Sequence, residues 1–438
     1  MDNQPLALVP ALVTPSVVPS PPPQPAWSLG KRIAFRFAFV YFGLYSFPFP
    51  LTELPKADKL CEPFYWLLHH IVPWFGKHAL RIDRPITFGP NGSGDTTYDW
   101  VLVAFSLVFA AVVTLVWSIV DRRRPRYALG WTLFVIYTRY VLAMTMVGYG
   151  FLKVLGLQFS PPQFPRLAEA YGDSSPMGLL WTFMGYSVPY TMLAGFAELL
   201  GGTLLLFRRT TLLGALVLLG VMGNVVLLNL CYDVPVKLYA THLWLMALLL
   251  TLPESRRLVD FFVRQRAIEP LVVATPFARG RLRWVRWIVK PLFIINLFCT
   301  RVYFQREAAK ASRNDGPQGA MNGPWDIVSA TSGGQPVAPA WRRVTIMNKL
   351  FMVRRVDDSR VRYHLVDDGT KKQLTLTPAE DAKAPPSVVT YVRSGDHGVL
   401  DGTLDGKPLH VELKFIDTSK SLLMTRGFHW INEQPFNR

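Results

Sequence analysis

Five stretches of the chain stay apolar for about the depth of a bilayer: Tyr98 to Val120, Tyr127 to Leu157, Val188 to Phe207, Thr210 to Leu230 and Val234 to Leu252. A helix rises about 1.5 Å per residue, so ~20 such residues cross the ~30 Å hydrocarbon core. A soluble core helix needs no such continuous apolar length, and the pattern predicts membrane-spanning helices. Two further segments carry interrupted versions of it. Ile33 to Leu51 holds Arg36 near its start, where a long side chain can snorkel to the interface. Trp284 to Phe304 is broken by Arg286, Lys290 and Pro291. Counting both gives about seven spans. If the last one crosses, everything after it lies outside the cytoplasm; if it lies flat in the interface, the C-terminal part is cytoplasmic.

Beyond a Gly-, Pro-, Ser- and Asn-rich stretch from Pro317 to Pro339, the period shortens to two. Strands are expected at Arg343–Ile346, Phe351–Val356, Val361–Val366, Gln373–Thr377, Val388–Val392, Val399–Leu404, Leu409–Phe415 and Leu422–His429. Asp367-Asp368-Gly369, Gly395-Asp396-His397-Gly398 and Asp405-Gly406 supply the positive-φ positions that hairpins need. The expected fold is therefore a polytopic helical bundle followed by an antiparallel all-β domain, a small sandwich or barrel. Its divisions are a disordered Pro-rich tail at 1–30, a transmembrane domain at 31–305, a linker at 306–340 and the β domain at 341–438.

Charge orients the bundle. The net charge of +17 would suggest nucleic acid in a soluble protein, but the basic residues sit beside the ends of apolar segments. Lys31 and Arg32, then Arg122, Arg123, Arg124 and Arg126, then Arg208 and Arg209, then Arg256, Arg257, Arg264, Arg266, Arg279, Arg281 and Arg283 fall at alternate loops. This is the positive-inside pattern of a multi-pass protein of a bacterial inner membrane, with its N-terminus and basic loops cytoplasmic and its β domain outside. No nucleic-acid partner is expected; the lipid bilayer is. Met1 to Ala26 is proline-rich without a basic n-region, so no signal peptide is read there.

Ionisable residues inside spans are costly unless paired or wet, and they point to function. Arg139 and Glu198 fall near the middle of the third and fourth spans, at similar depth by residue count, and are expected to pair. Such a pair serves either as a lock within the bundle or as a proton or substrate site. A second group gathers toward the outer half: Tyr149 and Lys153, Asn224 and Asn229, and Asp233, Lys237 and His242. One reading is a water-accessible pocket in which Tyr149, Lys153, Asn224, Asn229, Lys237 and His242 contact a ligand, with Lys153, His242 and Glu198 as the candidates for proton transfer. The other is interhelical glue, with the lysines snorkelling and Asp233 capping a helix.

Other chemistry is weaker. Phe64 to Leu80, with Trp66, Trp74, His69, His70 and His78, suits an interfacial helix on the outer side, and no metal site is expected from those histidines. Cys61, Cys231 and Cys299 contain no CxxC pair, which disfavours a thiol relay. Pro176 to Tyr186 suits a short helix at the outer mouth, either a lid or an anchored aromatic loop. Phosphate-binding glycine loops, nucleophile elbows and metalloprotease helices are missing from the sequence.

Tyr149-Gly150-Phe151-Leu152-Lys153, the loop from Tyr171 to Trp181, Gly195-Phe196-Ala197-Glu198 and the segment Asn229 to Lys237 together resemble the DoxX family of membrane proteins. The resemblance covers Tyr127 to Leu252, the length of that family's four-helix unit. It implies a membrane subunit, associated in some members with quinone-linked sulfur oxidation and in others with redox partner complexes. The wider group is similar to the membrane part of vitamin K-dependent carboxylases, where a lysine acts as a base; Lys153 does not align with that motif, and the role is not carried over. Two readings follow: a redox-linked subunit of a membrane oxidoreductase that binds a quinone or other amphipathic molecule in the outer half, or a non-catalytic scaffold or envelope protein whose β domain binds a partner.

Overall fold

In the computed structural model, residues 26–53, 57–89, 91–268, 287–288, 290–313, 319–347, 349–381 and 383–435 are described. The proline-rich segment before residue 26, and Arg279, Arg281, Arg283 and Arg286, lie outside them.

The helical part begins with α1 (Leu29–Ser46), α2 (Asp58–His78), α3 (Thr97–Val120) and α4 (Ala128–Val154). The short α5 (Phe164–Leu167) and α6 (Pro176–Tyr186) lead to α7 (Val188–Leu205), α8 (Thr211–Cys231), α9 (Lys237–Thr251), α10 (Ser255–Phe262) and α11 (Lys290–Arg313). Among the described residues, four segments are long and apolar enough to cross a membrane: Thr97–Val120, Ala128–Val154, Val188–Leu205 and Arg208–Cys231. Local chemistry fixes the ends. Thr96 and Asp99 form a reciprocal capping box at the start of α3. The carboxylate of Asp95 accepts from the amides of Lys237 and Leu238 at 2.7 and 2.9 Å, capping α9 in the place expected for Asp233.

Without a hydrophobic driving force in lipid, helices associate where small residues allow close contact. Helices α4 and α7 run antiparallel with Gly150 against Gly195, where a Cβ on either would stand 2.8 Å from the other's carbonyl oxygen. Further along, a Cβ on Gly202 would meet Met146 and Val147, so the same register holds over two turns. α8 returns beside α7 through Gly214, and α9 packs back along α8, where Trp244 donates to the Leu219 carbonyl. The core of this bundle holds Phe134, Leu142, Met146, Leu205, Leu218 and Met246. Arg36 does not snorkel. It is 1% exposed, with its guanidinium on Tyr127 Oη, Ser118 Oγ and the Asp121 carbonyl.

The second part is β1 (Gly323–Ser332), β2 (Gln335–Pro336), β3 (Trp341–Met347), β4 (Leu350–Arg355), β5 (Arg360–Asp368), β6 (Gln373–Pro378), β7 (Ser387–Ser394), β8 (His397–Leu404) and β9 (Lys407–Phe415). Neighbouring strands pair antiparallel, and β9 pairs with β1 from Trp325↔Phe415 to Thr331↔His410. That pairing closes an eight-stranded barrel, with two-residue β2 extending the end of β1. Alternate residues face inward, such as Val389 and Tyr391 of β7 and Leu409, Val411 and Leu413 of β9, and fill the interior with Trp325, Phe351, Leu374 and Leu400. Two boundaries differ from the sequence reading. The barrel begins at Gly323, inside the expected linker, and α11 reaches Arg313. Leu422–His429 is no strand: residues Leu422–Thr425 form α12, because β9 already has its partner and no edge remains for a further strand.

The barrel meets the bundle at the end where α4 finishes. In the connection between α4 and α6, Glu169 is almost fully buried and its carboxylate lies 2.6 Å from Arg166, 3.1 Å from Arg354 and 3.4 Å from Arg360. Asp173 receives Arg342 at 2.8 Å, and the Arg343 guanidinium donates to the Ala168 carbonyl. The last two residues of the bundle's α9, by contrast, lie at the opposite end, beside the basic loops, since α9 runs antiparallel to α8 and α4.

Candidate functional site

Where α4 ends, a cavity of about 440 Å³ opens between α4, α6, α7, α8 and α9. Its wall carries Tyr149 and Lys153 from α4, Glu198 from α7, Asn224 and Asn229 from α8 and Tyr239 from α9, with Leu180, Trp181 and Met184 of α6 opposite. The Pro176–Tyr186 segment is thus a helix that forms one side of the chamber. Ser175 caps it by accepting from the Gly178 amide, and Pro176 occupies its first position, where a missing N–H costs nothing.

The charged centre is Lys153. Its Nζ donates to both carboxylate oxygens of Glu198, at 2.6 and 2.7 Å, and both side chains are nearly buried. This corrects the expected Arg139–Glu198 pair. The Gly150–Gly195 register sets Glu198 beside the last two turns of α4, whereas Arg139 lies eleven residues earlier, about 16 Å along the axis. Counting from span ends misjudged the depth because α4 extends well past α7 at the basic end. A buried ion pair is tolerated only when each charge neutralises the other, so removing either partner strands a charge. An ammonium and a carboxylate in hydrogen-bond contact within an apolar wall also form a donor–acceptor unit for proton exchange with anything bound beside them.

Two amides stand near that centre. Asn229 is 4% exposed, and its Nδ2 has no hydrogen-bond partner among the described residues; the same is true of Gln158 Oε1. Both residues line the cavity. Buried polar atoms are normally satisfied, and ones left open beside a cavity are positioned to be completed by whatever fills it. Gln158, Phe159 and Tyr239 were not singled out in the sequence. The available signal was position, since Gln158 is the first polar side chain after the span that carries Lys153.

Not all of the expected group converges. Lys237 lies 2.8 Å from Asp233 and 3.8 Å from Asp95, and serves the α9 start rather than the cavity. His242 is buried outside the chamber: Nδ1 bonds the Leu238 carbonyl at 2.6 Å, Nε2 meets Tyr41 Oη at 2.6 Å, and Tyr45 stacks on the ring at 3.8 Å. With Nδ1 donating to a carbonyl, Nε2 is left to accept from Tyr41, and the imidazole stitches α1 to α9. Of the candidates for ligand contact, Tyr149, Lys153, Asn224 and Asn229 share one wall with Glu198; Lys237 and His242 do not.

The remaining chemistry-bearing residues are engaged elsewhere. His70 and His78 each bond a carbonyl one turn earlier in α2, and His69 stacks on Phe88. The second half of α2 packs on the first turns of α3 through Val72 and Val101. Cys61, Cys231 and Cys299 are unpaired.

A membrane-type helical bundle bearing a closed antiparallel barrel is the class defined by this architecture. The chain is 37% identical over 131 residues to "Uncharacterized protein YwoB" of Bacillus subtilis (strain 168), a match that covers 30% of this chain and 82% of that protein, and it belongs to the same family. No protein-family model matches the chain. No solved structure matches it either.

Proposed function

We propose that the protein is a DoxX-like subunit of a bacterial inner membrane, with seven spans, cytoplasmic basic loops and an extracytoplasmic barrel, and that it binds a quinone or other amphipathic small molecule in the outer half of its bundle as part of a redox-linked process. The cavity beside the Lys153–Glu198 pair carries this reading. At about 440 Å³ it falls within the range of small-molecule sites, and it has their usual make-up of apolar walls with a few polar groups at one end. Asn229 and Gln158 supply hydrogen bonds to a ring oxygen or hydroxyl, while Leu180, Trp181 and Met184 hold the hydrocarbon. The crossing by α11 is supported by geometry: the chain leaves α9 at the basic end and enters the barrel at the other, and Phe298 of α11 packs against Phe151 near the end of α4.

Purification in mild detergent, solvent extraction and chromatography for quinones, with titration of a short-chain quinone followed by Trp fluorescence, tests the proposal. Saturable binding that weakens about tenfold in Asn229→Ala is the expected result, the scale of losing one or two hydrogen bonds in a buried site. Neither co-purified quinone nor saturable binding would remove the reading. A scaffold role has one observation in its favour: the barrel interior is occupied by buried Trp325, Phe351, Leu374 and Leu400, so its contacts with other molecules lie on its outer face. Deletion of Trp325–Arg438 abolishes the cellular phenotype in that case; a silent deletion alongside a defective Lys153→Ala excludes it.

A further inference from the structure

One wall of the chamber is made by α7 and α8, and these helices do not stay together along their length. At the basic end they touch: a Cβ on Gly201 would stand 2.5 Å from the Leu218 side chain, and one on Gly214 would stand 2.9 Å from the Gly201 carbonyl oxygen and from Leu204 Cβ. The same antiparallel register carries Ala197 opposite Val221 and Leu193 opposite Val225, and all four line the chamber. A Cβ on Gly220, also in the chamber lining, would meet nothing within 4 Å. From about Gly220 onward the two helices therefore part.

That seam opens outward. Of the chamber-lining residues, Leu193 is 66% exposed, and Tyr190, Gly220 and Asn224 are exposed as well, whereas Met184, Met222 and Asn229 are buried. Gly220 lies about midway along the membrane-length segment Arg208–Cys231, so the mouth faces hydrocarbon rather than water. The inner end is polar and incompletely satisfied: Asn229 Nδ2 and Gln158 Oε1 have no partner among the described residues, and the Lys153–Glu198 pair shares their chamber. A polar end inside and a mouth in hydrocarbon match an amphipathic molecule. A chamber of about 440 Å³ holds its head and the start of its chain, and a longer chain has to leave through the seam.

We propose that the occupant of the chamber is a long-chain lipid dissolved in the membrane, and that it enters sideways between α7 and α8. Its head reaches Asn229 and Gln158, and its tail, longer than the chamber, runs through the seam past Ala197, Gly220 and Leu193 into the bilayer. This rests on the reading of the chamber as a ligand site and adds the class of molecule and its route.

Native mass spectrometry of the full chain in a non-ionic detergent, with a tail-less benzoquinone or its octaprenyl derivative dissolved in the micelles, tests the route. Per mole of probe in the detergent phase, the wild type is expected to bind the two within about threefold, since the tail stays in an apolar medium whether bound or free. Gly220→Phe fills the seam at a position where the backbone leaves room, and should set the octaprenyl probe about tenfold behind the ring, the scale of overpacking a fitted gap. An octaprenyl probe already about tenfold weaker in the wild type, or the same ratio of the two probes in wild type and Gly220→Phe, overturns the proposal. If neither probe binds, the quinone reading falls and the seam is decided by photolabelling in vesicles of phosphatidylcholine with a diazirine at the end of an acyl chain. Label on the buried chamber residues Met184 and Met222, lost in Gly220→Phe, is expected; its absence from both in the wild type, or its persistence in the variant, overturns the lateral route. Leu193→Trp replaces Gly220→Phe in both measurements if the latter does not fold.

Discussion

The barrel and the bundle solve the same problem of burying a chain in opposite ways. In the barrel, polar backbone is satisfied by closure of the β1–β9 pairing, and the interior is left to mainly apolar side chains, whose few polar atoms, such as Trp325 Nε1 and Tyr363 Oη, have partners within the barrel part. In the bundle each helix satisfies its own backbone, and polar side chains enter the interior instead: Arg36, Arg139, Lys153, Glu198, Asn229 and His242 are all buried. The barrel is filled; the bundle keeps a chamber. A sealed interior gives stability, whereas an incompletely satisfied one gives a place to bind.

The contrast can be broken at the ion pair, where the largest effect is expected. Glu198→Ala leaves the Lys153 ammonium buried without a partner and should cost roughly 3–5 kcal/mol in thermal unfolding in detergent, while the double change Lys153→Met with Glu198→Leu recovers most of the loss. Equal instability of the double variant would mean that the pair is held for packing geometry rather than charge. Next in size is Leu374→Ala in the barrel, expected to cost about 3 kcal/mol through an apolar cavity, with no change in ligand binding to the bundle. A matching loss of binding would show that the two regions do not answer separately.

The smallest effect sharpens the comparison by pH. On the barrel surface Asp401 accepts a 2.5 Å hydrogen bond from His410, which raises the imidazole pKa above its ordinary value. A raised folded-state pKa contributes stability that is full below the unfolded value and is lost as pH rises through the folded one. Both side chains are about half exposed, so the contribution should stay under about 0.5 kcal/mol. Asp401→Asn should flatten this part of the pH–stability curve measured by denaturant unfolding of the whole protein.

Strand periodicity was readable because a one-sided sheet writes its inward face at every second residue, and seven of the eight expected strands fall on β3 to β9. β1 was hidden by its flanks: Gly323, Gly333 and Gly334 with Pro336 and Pro339 make a linker-like composition around Trp325–Ser332. Leu422–His429 was misread because local alternation carries no information about whether a barrel has already closed. In the bundle, apolar length was plain and partner choice was not. Glu198 meets Lys153 because of an interhelical register set by Gly150 and Gly195, and that register is a property of two distant segments together. His242 has the composition of a catalytic residue; only the position of Tyr41 and Tyr45, two hundred residues away, makes it a fastener.

Glu169 ties three arginines, two of them from the barrel, to the strap that begins with Gln158 and Phe159 in the chamber wall. The barrel is therefore a handle whose grip on the bundle is electrostatic. A push on it is delivered to the rim of the cavity, and because the Glu169 and Arg354 side chains are shielded from water, added salt screens that grip only weakly.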